Sequence, residues 1–261
     1  MNASVDDYID DVSSNKTQIS WAVNKGILPL TSPTKFSPKS EVTRFDAIKA
    51  LWKYSNIPGT ISTTRTSTEI KNYQSKVSNI GFNDLNGNEY KNDLDAIVWA
   101  YNEGVISKDT KFNPSNNCSR AQFVTMLYRL AGAPNVSGTT PFIDVQQDTW
   151  YYNAVVWGYN LGLIKGVSTS QFLPNDAIKR YEVALFLYRY DSLARTKYSI
   201  TYNLLGGAGN NSEFYTESTL PYTLKKPTKS GYTFVGWTGS NGEKTDSTVT
   251  IKKGTTGDLV Y

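Results

Sequence analysis

Three arginines in this sequence stand where a helix is predicted to begin. They are Arg44, Arg120 and Arg180. The positive end of the helix dipole disfavours a cation at that position by roughly 0.3–1 kcal/mol, so each guanidinium group is expected to have a compensating partner. Together with the free N–H groups of a helix start, a guanidinium group can bind an anion.

Two kinds of partner are open for these arginines. The internal kind is the aspartate of a repeated x-Asp-Val or x-Asp-Leu motif, found at Asp11, Asp84 and Asp144. The external kind is an anionic ligand held jointly by the guanidinium group and the backbone. Spacing alone leaves both open, and the copies can differ from one another.

The composition limits the chemistry available to the chain. Its 261 residues include no histidine and a single cysteine, Cys118, which removes zinc sites of the His/Cys kind, Ser-His-Asp and Cys-His nucleophiles, and internal disulfides. No metal or cofactor is predicted, and Cys118 is interpreted as a small residue beside a helix cap. The net charge of +4 is scattered, so no nucleic-acid partner is expected. No run approaches the roughly 20 apolar residues of a spanning helix, so no membrane insertion is expected.

A threefold internal repeat sets the architecture. Each copy carries the aspartate motif, a tryptophan helix ending in glycine, a Phe-x-Pro loop and the arginine helix. The glycine follows the tryptophan by five positions in every copy, and the arginine follows the proline by six. The tryptophans are Trp21, Trp99 and Trp157, and the glycines are Gly26, Gly104 and Gly162.

Each copy is predicted to fold as helix, loop, helix. The glycine suits the left-handed conformation that ends a helix, and the loop proline blocks helix continuation. Thr43-x-x-Asp46 and Ser119-x-x-Gln122 resemble a capping box at the start of the second helix, whereas the third copy has Lys179 in the cap position.

These motifs resemble the S-layer homology (SLH) domain family, whose pattern is Phe-x-Asp-Val, a Trp-Ala helix closed by Gly-Ile-Ile, a Phe-x-Pro loop and a Thr-Arg-Ala-Glu helix start. The resemblance covers units at 5–57, 81–133 and 141–194. It implies a mainly α-helical assembly with pseudo-threefold symmetry that fastens bacterial surface proteins noncovalently to the cell wall. The implied ligand is a secondary cell-wall polysaccharide, often bearing a pyruvyl ketal, bound in grooves between units.

Carried across position by position, the resemblance assigns ligand binding to the repeated arginines, aspartates, tryptophans and glycines named above. The helix-start motif departs from the family pattern and reads TRFD, SRAQ and KRYE, and the first Phe is replaced by Ile9. Unequal binding by the three grooves is therefore expected. The tryptophans have an alternative role as core residues on the apolar side of the first helix.

An insert separates the first and second units. Residues 58–80 are rich in Ser and Thr and are predicted to form a surface excursion with one helical turn. Residues 84–95 alternate acids and amides like a calcium loop, but Glu89 stands where such a loop needs glycine and Asp95 where it needs glutamate. No calcium site is predicted there.

Residues 198–261 have the texture of a small β domain. YSITYNL at 198–204 alternates like a strand, and GGAGNN is a turn cluster. The pattern Leu-x-x-Pro-x-x-x-Gly-Tyr-x-Phe-x-Gly-Trp at 224–237 resembles the β-grasp-like repeat of internalin-type bacterial surface proteins, which implies a spacer or adhesion module. Tyr232, Phe234 and Trp237 are interpreted as its core, with a glycan-binding face as the alternative.

Both resemblances imply a noncatalytic anchor outside the cell. The start, MNASVDDYID, lacks a secretory signal, so a processed or excised segment is expected. In such an anchor the β module would lead to a larger partner or parent chain. The alternative is an adhesion or assembly module that binds another surface protein through its repeat surface. A glycosidase would need two carboxylates facing a sugar, and the acids of this chain recur with the repeat, which disfavours an enzyme.

Overall fold

The computed structural model describes residues 9–56 and 66–261, and within them seven helices precede seven short strands. The helices are α1 (Lys16–Asn24), α2 (Arg44–Ser55), α3 (Ser67–Ile80), α4 (Leu94–Asn102), α5 (Arg120–Leu130), α6 (Tyr152–Asn160) and α7 (Arg180–Arg195). The strands are β1 (Tyr198–Thr201), β2 (Phe214–Tyr215), β3 (Tyr222–Thr223), β4 (Trp237–Gly239), β5 (Gly242–Asp246), β6 (Thr250–Ile251) and β7 (Leu259–Val260). No described helix is long and apolar enough to cross a membrane.

The chain divides into two compact parts. The helical part comprises Met1–Leu130 and Val136–Arg189, and the β part comprises Ala131–Asn135 and Tyr190–Tyr261. A mainly helical region followed by a small β region is therefore confirmed. The comparison of the β region with a β-grasp stays a prediction.

The predicted helix-loop-helix unit is present in all three copies, as α1 with α2, α4 with α5, and α6 with α7. The first helix of each pair ends as predicted, because Gly26, Gly104 and Gly162 all have φ between +67° and +69°. In the first copy Gly26 N–H donates to Val23 and Ile27 N–H donates to Ala22, which satisfies two carbonyl groups of the last turn. The same pair of bonds recurs in the other two copies.

Side chains cap the arginine helices according to their length. Ser119 Oγ accepts the N–H of Gln122, and Gln122 Oε1 accepts the N–H of Ser119, so α5 has a reciprocal capping box. In α2 the shorter Asp46 reaches only the Thr43 hydroxyl, while its own N–H donates to Thr43 Oγ1. In α7 the Glu182 carboxylate accepts the N–H of Lys179.

The insert between the first two units is more helical than predicted. Residues 57–65 lie outside the described residues, but α3 runs for 14 residues, so the expectation of one helical turn is wrong. Thr66 and Glu69 form a complete capping box, and Gly81 ends the helix at φ +117°. Both signals were present in the sequence, because Thr-x-x-Glu precedes the helix and glycine follows it.

A ring of backbone hydrogen bonds joins the three units just before their arginine helices. Val42 N–H donates to Ile178, Ile178 N–H donates to Cys118, and Cys118 N–H donates to Val42, at 2.8–3.1 Å. All three are buried, and burial raises the pKa of the Cys118 thiol to about 12. Cys118 is thus a small residue next to the capping Ser119, as predicted, and it also belongs to the core.

The β part has its own apolar core, made by residues from several of its strands and loops. Its buried members are Ile200, Tyr215, Leu220, Leu224, Trp237, Val249 and Ile251. The order of the main sheet is β2-β1-β7, with β1 antiparallel to β2 and parallel to β7. Trp237 is buried as predicted and Phe234 packs partly against this core, but Tyr232 is 72% exposed, so its assignment to the core is wrong.

Candidate functional site: a basic groove beside Arg44

The repeated aspartates hold the Phe-x-Pro loops of their own units. In the second unit, Asp84 accepts the N–H of Phe112 at 2.9 Å and that of Asn113 at 2.7 Å, one on each carboxylate oxygen. Asp11 and Asp144 make the equivalent pairs in the first and third units. Among the described residues these aspartates form no ion pair with the arginines, so the structure does not bear out the internal alternative, in which each aspartate pairs with its arginine.

Each arginine instead reaches into the loop of the next unit. Arg44 Nε donates to the carbonyl of Phe112 at 2.8 Å, and Arg120 Nε donates to that of Phe172 at 2.8 Å. Arg180 closes the circle, because its Nε donates at 2.8 Å to the carbonyl of Phe36 in the first unit. In every case the guanidinium carbon also lies 4.6–4.9 Å from the centre of that phenylalanine ring, a cation–π contact.

The backbone N–H groups at the helix starts are engaged in the same circular way. The N–H of Arg44 donates to Asn116, that of Arg120 to Asp176, and that of Arg180 to Ser40, at 2.8–2.9 Å. These carbonyl dipoles offset the helix dipole at the point where the arginine stands. The N–H groups therefore have partners within the protein, so an anion would meet the guanidinium groups rather than the helix ends.

The three guanidinium groups differ in how many of their Nη atoms already have a hydrogen-bond partner within the protein. Arg120 is 3% exposed and pairs through Nη1 with Glu182, while its Nη2 donates to Lys165. Arg180 is half-buried, and its Nη2 donates to the carbonyl of Pro29. Arg44 is also half-buried, but its Nη1 and Nη2 make no hydrogen bond to any residue in the described ranges 9–56 and 66–261.

The departures from the family's helix-start motif explain this difference. Glu182 stands in the next unit, where it can neutralise Arg120, and its counterpart opposite Arg44 is the neutral Gln122. The counterpart opposite Arg180 is Asp46, whose shorter carboxylate is held by Thr43. Burial lowers the pKa of Arg180 below its ordinary value, and the nearby Asp46 opposes that shift without forming an ion pair.

An open groove with a cavity of about 210 Å³ lies beside Arg44. Besides Arg44, its basic lining residues are Lys108, Lys111 and Arg129, whereas Asp109 is the acidic side chain of the lining. The three additional cations are all exposed, so they can meet a ligand from solution. The groove therefore has an excess of positive charge that suits an anion.

The floor and rim of this groove carry two further features. On α5, Thr125 is 6% exposed, and its hydroxyl group has no hydrogen-bond partner among the described residues. A buried hydroxyl without a partner costs about 1–3 kcal/mol, unless a ligand supplies the bond. Trp150 stands on the rim, 63% exposed, and offers an aromatic face.

The tryptophans chosen from the repeat lie elsewhere. Trp157 is 5% exposed and packs against Tyr128, so it serves the core. Trp21 is half-buried between Tyr54 and Tyr188, and Trp99 is also half-buried. The repeated glycines end helices, and their role in ligand binding stays a prediction, as does that of the repeated aspartates.

Sequence reasoning missed most of the groove. The repeat pattern does not point to Trp150, Thr125 or the basic side chains of the 108–111 loop, because it identifies only residues that recur in all three copies. Trp150 could have been found as an aromatic residue next to a helix start that the other units lack. For Gln122 the sequence indicates a capping residue and a departure from the family motif, but no place in a groove.

These helix-loop-helix units, joined by repeated arginine contacts and with a basic groove beside Arg44, are similar to the repeat units of bacterial cell-surface anchoring modules. The S-layer homology domain model matches residues 81–124 and 141–184, which are the second and third units. The Listeria-Bacteroides repeat domain model matches residues 198–260. The chain therefore contains S-layer homology domains followed by a Listeria-Bacteroides repeat domain; the first unit, outside the matched ranges, shares their contacts.

Similar proteins include a surface-layer protein and proteins with the names of enzymes. The Surface-layer 125 kDa protein of Lysinibacillus sphaericus is 33% identical over 128 residues, which are 48% of this chain and 10% of that protein. Amylopullulanase of Thermoanaerobacterium thermosulfurigenes is 30% identical over 141 residues, 53% of this chain and 7% of that protein. Exoglucanase XynX of Acetivibrio thermocellus is 31% identical over 120 residues, 45% of this chain and 11% of that protein. The chain thus matches about a tenth of the length of these relatives.

Proposed function

We propose that the helical part binds an anionic cell-wall polysaccharide in the Arg44 groove and thereby fastens the protein to the bacterial cell surface. The observation that carries this proposal is the unpaired end of the Arg44 guanidinium group. A carboxylate on the polymer, such as that of a pyruvyl ketal, would occupy the place that Glu182 takes beside Arg120. Trp150 would stack on a neighbouring sugar ring, and Thr125 would hydrogen-bond to it.

The proposal makes the three units unequal. Arg120 already has a carboxylate and is buried, and Arg180 already uses Nη2 on a carbonyl group. We therefore propose that the Arg44 groove is the main binding site, while the other two arginines hold the units together. The circular contacts among the units support a pseudo-threefold arrangement, in which one interface has been kept open for the ligand.

The proposed function is noncatalytic. The repeated aspartates are engaged by loop N–H groups, in the same way in each unit, which supports a structural role rather than acid–base chemistry. Since the relatives are much longer than this chain, we propose that the anchor serves a longer surface protein. In the relatives that have the names of enzymes, the matched segment would then anchor an enzyme.

Gln122→Glu tests this proposal without removing any existing contact. A glutamate at 122 can keep the bond to Ser119 with one oxygen and place the other on Arg44, as Glu182 does for Lys179 and Arg120. Sedimentation with purified cell walls should then show retention weakened roughly tenfold, because the cation is neutralised from within. Gln171→Glu, at an exposed position outside the groove, adds the same charge and should bind normally.

Two further outcomes have definite meanings. Walls stripped of their secondary polysaccharide should fail to retain the unmodified chain. Retention by stripped walls would favour the adhesion alternative, in which a surface protein is the receptor. Full binding by Gln122→Glu would refute the assignment of the ligand to Arg44, provided that its circular dichroism spectrum matches that of the unmodified chain.

A further inference from the structure

A short segment of the β part leaves its backbone unpaired. Tyr232 N–H donates to Lys229, and Trp237 begins β4, but the backbone groups of Thr233, Phe234 and Val235 make no hydrogen bond within the part of the chain that the structure describes. The exposure of this 233–235 segment alternates, since Thr233 and Val235 are exposed and Phe234 is half-buried. That alternation is typical of an extended strand with one face on a core.

The segment borders a cleft with a volume of about 310 Å³. Across the cleft lie Leu204 and Leu205, and Trp237 and Tyr261 also line it. The volume falls within the range of about 300–1,000 Å³ that is common for ligand clefts. Leu205 and Val235 are 76% and 77% exposed, so apolar surface remains open on both rims.

The charge of the cleft is positive. Lys229 is the charged side chain among its lining residues, and no Asp or Glu side chain lines it within the described residues. Lys229 Nζ donates to the carbonyl of Leu205 at 2.6 Å and lies 4.4 Å from the centre of the Tyr232 ring. The ammonium group is thus held at the rim, where a carboxylate could meet it.

We propose that the 233–235 segment and its cleft bind an extended peptide of another protein by strand addition. The peptide would pair its backbone with the N–H and C=O groups that face one edge of the segment, which come from alternate residues. It would place apolar side chains in the cleft at alternate positions and direct an acidic group toward Lys229. Consecutive unpaired amide groups at strand spacing fit a peptide better than a sugar, whose hydroxyl groups are not arranged in a line.

Peptide binding by this cleft does not depend on the anchoring function, because every residue of the cleft lies in the β part. It gives this module a partner-binding role, in which the peptide's backbone provides affinity and its side chains provide specificity.

Selection from a phage-displayed library of random dodecapeptides on the immobilised full chain tests the proposal. Enriched peptides should carry apolar residues at alternate positions and at least one Asp or Glu. The synthetic peptide with the highest enrichment is then measured by fluorescence polarisation. Lys229→Glu should weaken it roughly tenfold, whereas Lys226→Glu, an equal charge change at an exposed position outside the cleft, should leave the affinity unchanged.

Hydrogen exchange on the full chain gives a second readout that requires no variant. Bound peptide should slow exchange of the amides of 233–235, and the same peptide with N-methyl groups on its pairing edge should not bind. No enrichment over an uncoated surface, equal binding by Lys229→Glu, or unchanged exchange at 233–235 would each overturn the proposal. Binding of cell-wall oligosaccharides that displaces the peptide would reassign the cleft to sugars and overturn it as well.

Discussion

Replacing Glu182 with glutamine removes the negative charge that neutralises Arg120. The side chains of this ion pair are 3% exposed for Arg120 and 10% exposed for Glu182. Breaking a buried pair by removing one partner costs about 3–5 kcal/mol, because the remaining charge stays away from water. Glutamine keeps one oxygen as an acceptor for the guanidinium group or for Lys179, so we expect the lower end, about 3 kcal/mol.

The second unit shows why glutamine is tolerated at position 122, which is equivalent to 182. Gln122 stands opposite Arg44, but Arg44 lines an open groove, where water or a ligand can solvate the cation. Arg120 has no such access. The expected loss corresponds to a factor of roughly 150 in the unfolding equilibrium constant.

Urea unfolding followed by ellipticity at 222 nm measures this loss, since the helices lie mainly in the helical part. Glu103→Gln, at an exposed carboxylate just beyond α4, is the matched control and should change the free energy of unfolding by less than about 0.5 kcal/mol. A loss below about 1 kcal/mol for Glu182→Gln would refute the view that Arg120 depends on this carboxylate for its charge balance.

Three further predictions concern stability and reactivity. Asp144→Asn should lower the stability of the helical part by about 1–3 kcal/mol in urea unfolding, because an amide can accept only one of the two loop N–H bonds at full strength. Cys118 should react with a thiol reagent at pH 8 only as the chain unfolds, since burial raises its pKa to about 12; rapid reaction of the folded chain would contradict this. Burial raises the pKa of Glu217 in the folded chain above its ordinary 4.5. The protonated carboxyl group therefore favours the folded state below pH 4.5, and this stabilisation is lost as the pH rises through the raised pKa. In Glu217→Gln the thermal midpoint of the β part should therefore no longer fall as the pH rises through this range. The same pH dependence in the variant and in the unmodified chain would contradict this role of Glu217.

The local elements of the helical part were predictable because their signals are local. The glycines that end α1, α4 and α6 and the caps of α2 and α5 act within a few residues of their own position, so sequence spacing identifies them. The insert follows the same rule, because the capping box of Thr66 and Glu69 is a local signal that indicates the start of α3.

The roles of the repeated charges were not predictable from spacing. Aspartate and arginine recur together in each copy, yet the aspartate holds its own loop while the arginine reaches into the next unit. The β part posed a similar problem, since an aromatic cluster contains both buried Trp237 and exposed Tyr232, and only the folded chain shows which face each one occupies.

The sequence by itself determined the three copies, their helix boundaries and the arginine at each helix start, because these depend on backbone preferences and short-range hydrogen bonds. Only the tertiary structure decided which arginine is open to a ligand. That choice depends on a side chain from the neighbouring unit, since Glu182 has the charge and the length to neutralise Arg120, whereas Gln122 lacks the charge to do the same for Arg44. Such a pairing joins residues 62 positions apart and exists only once the chain has closed its circle of units.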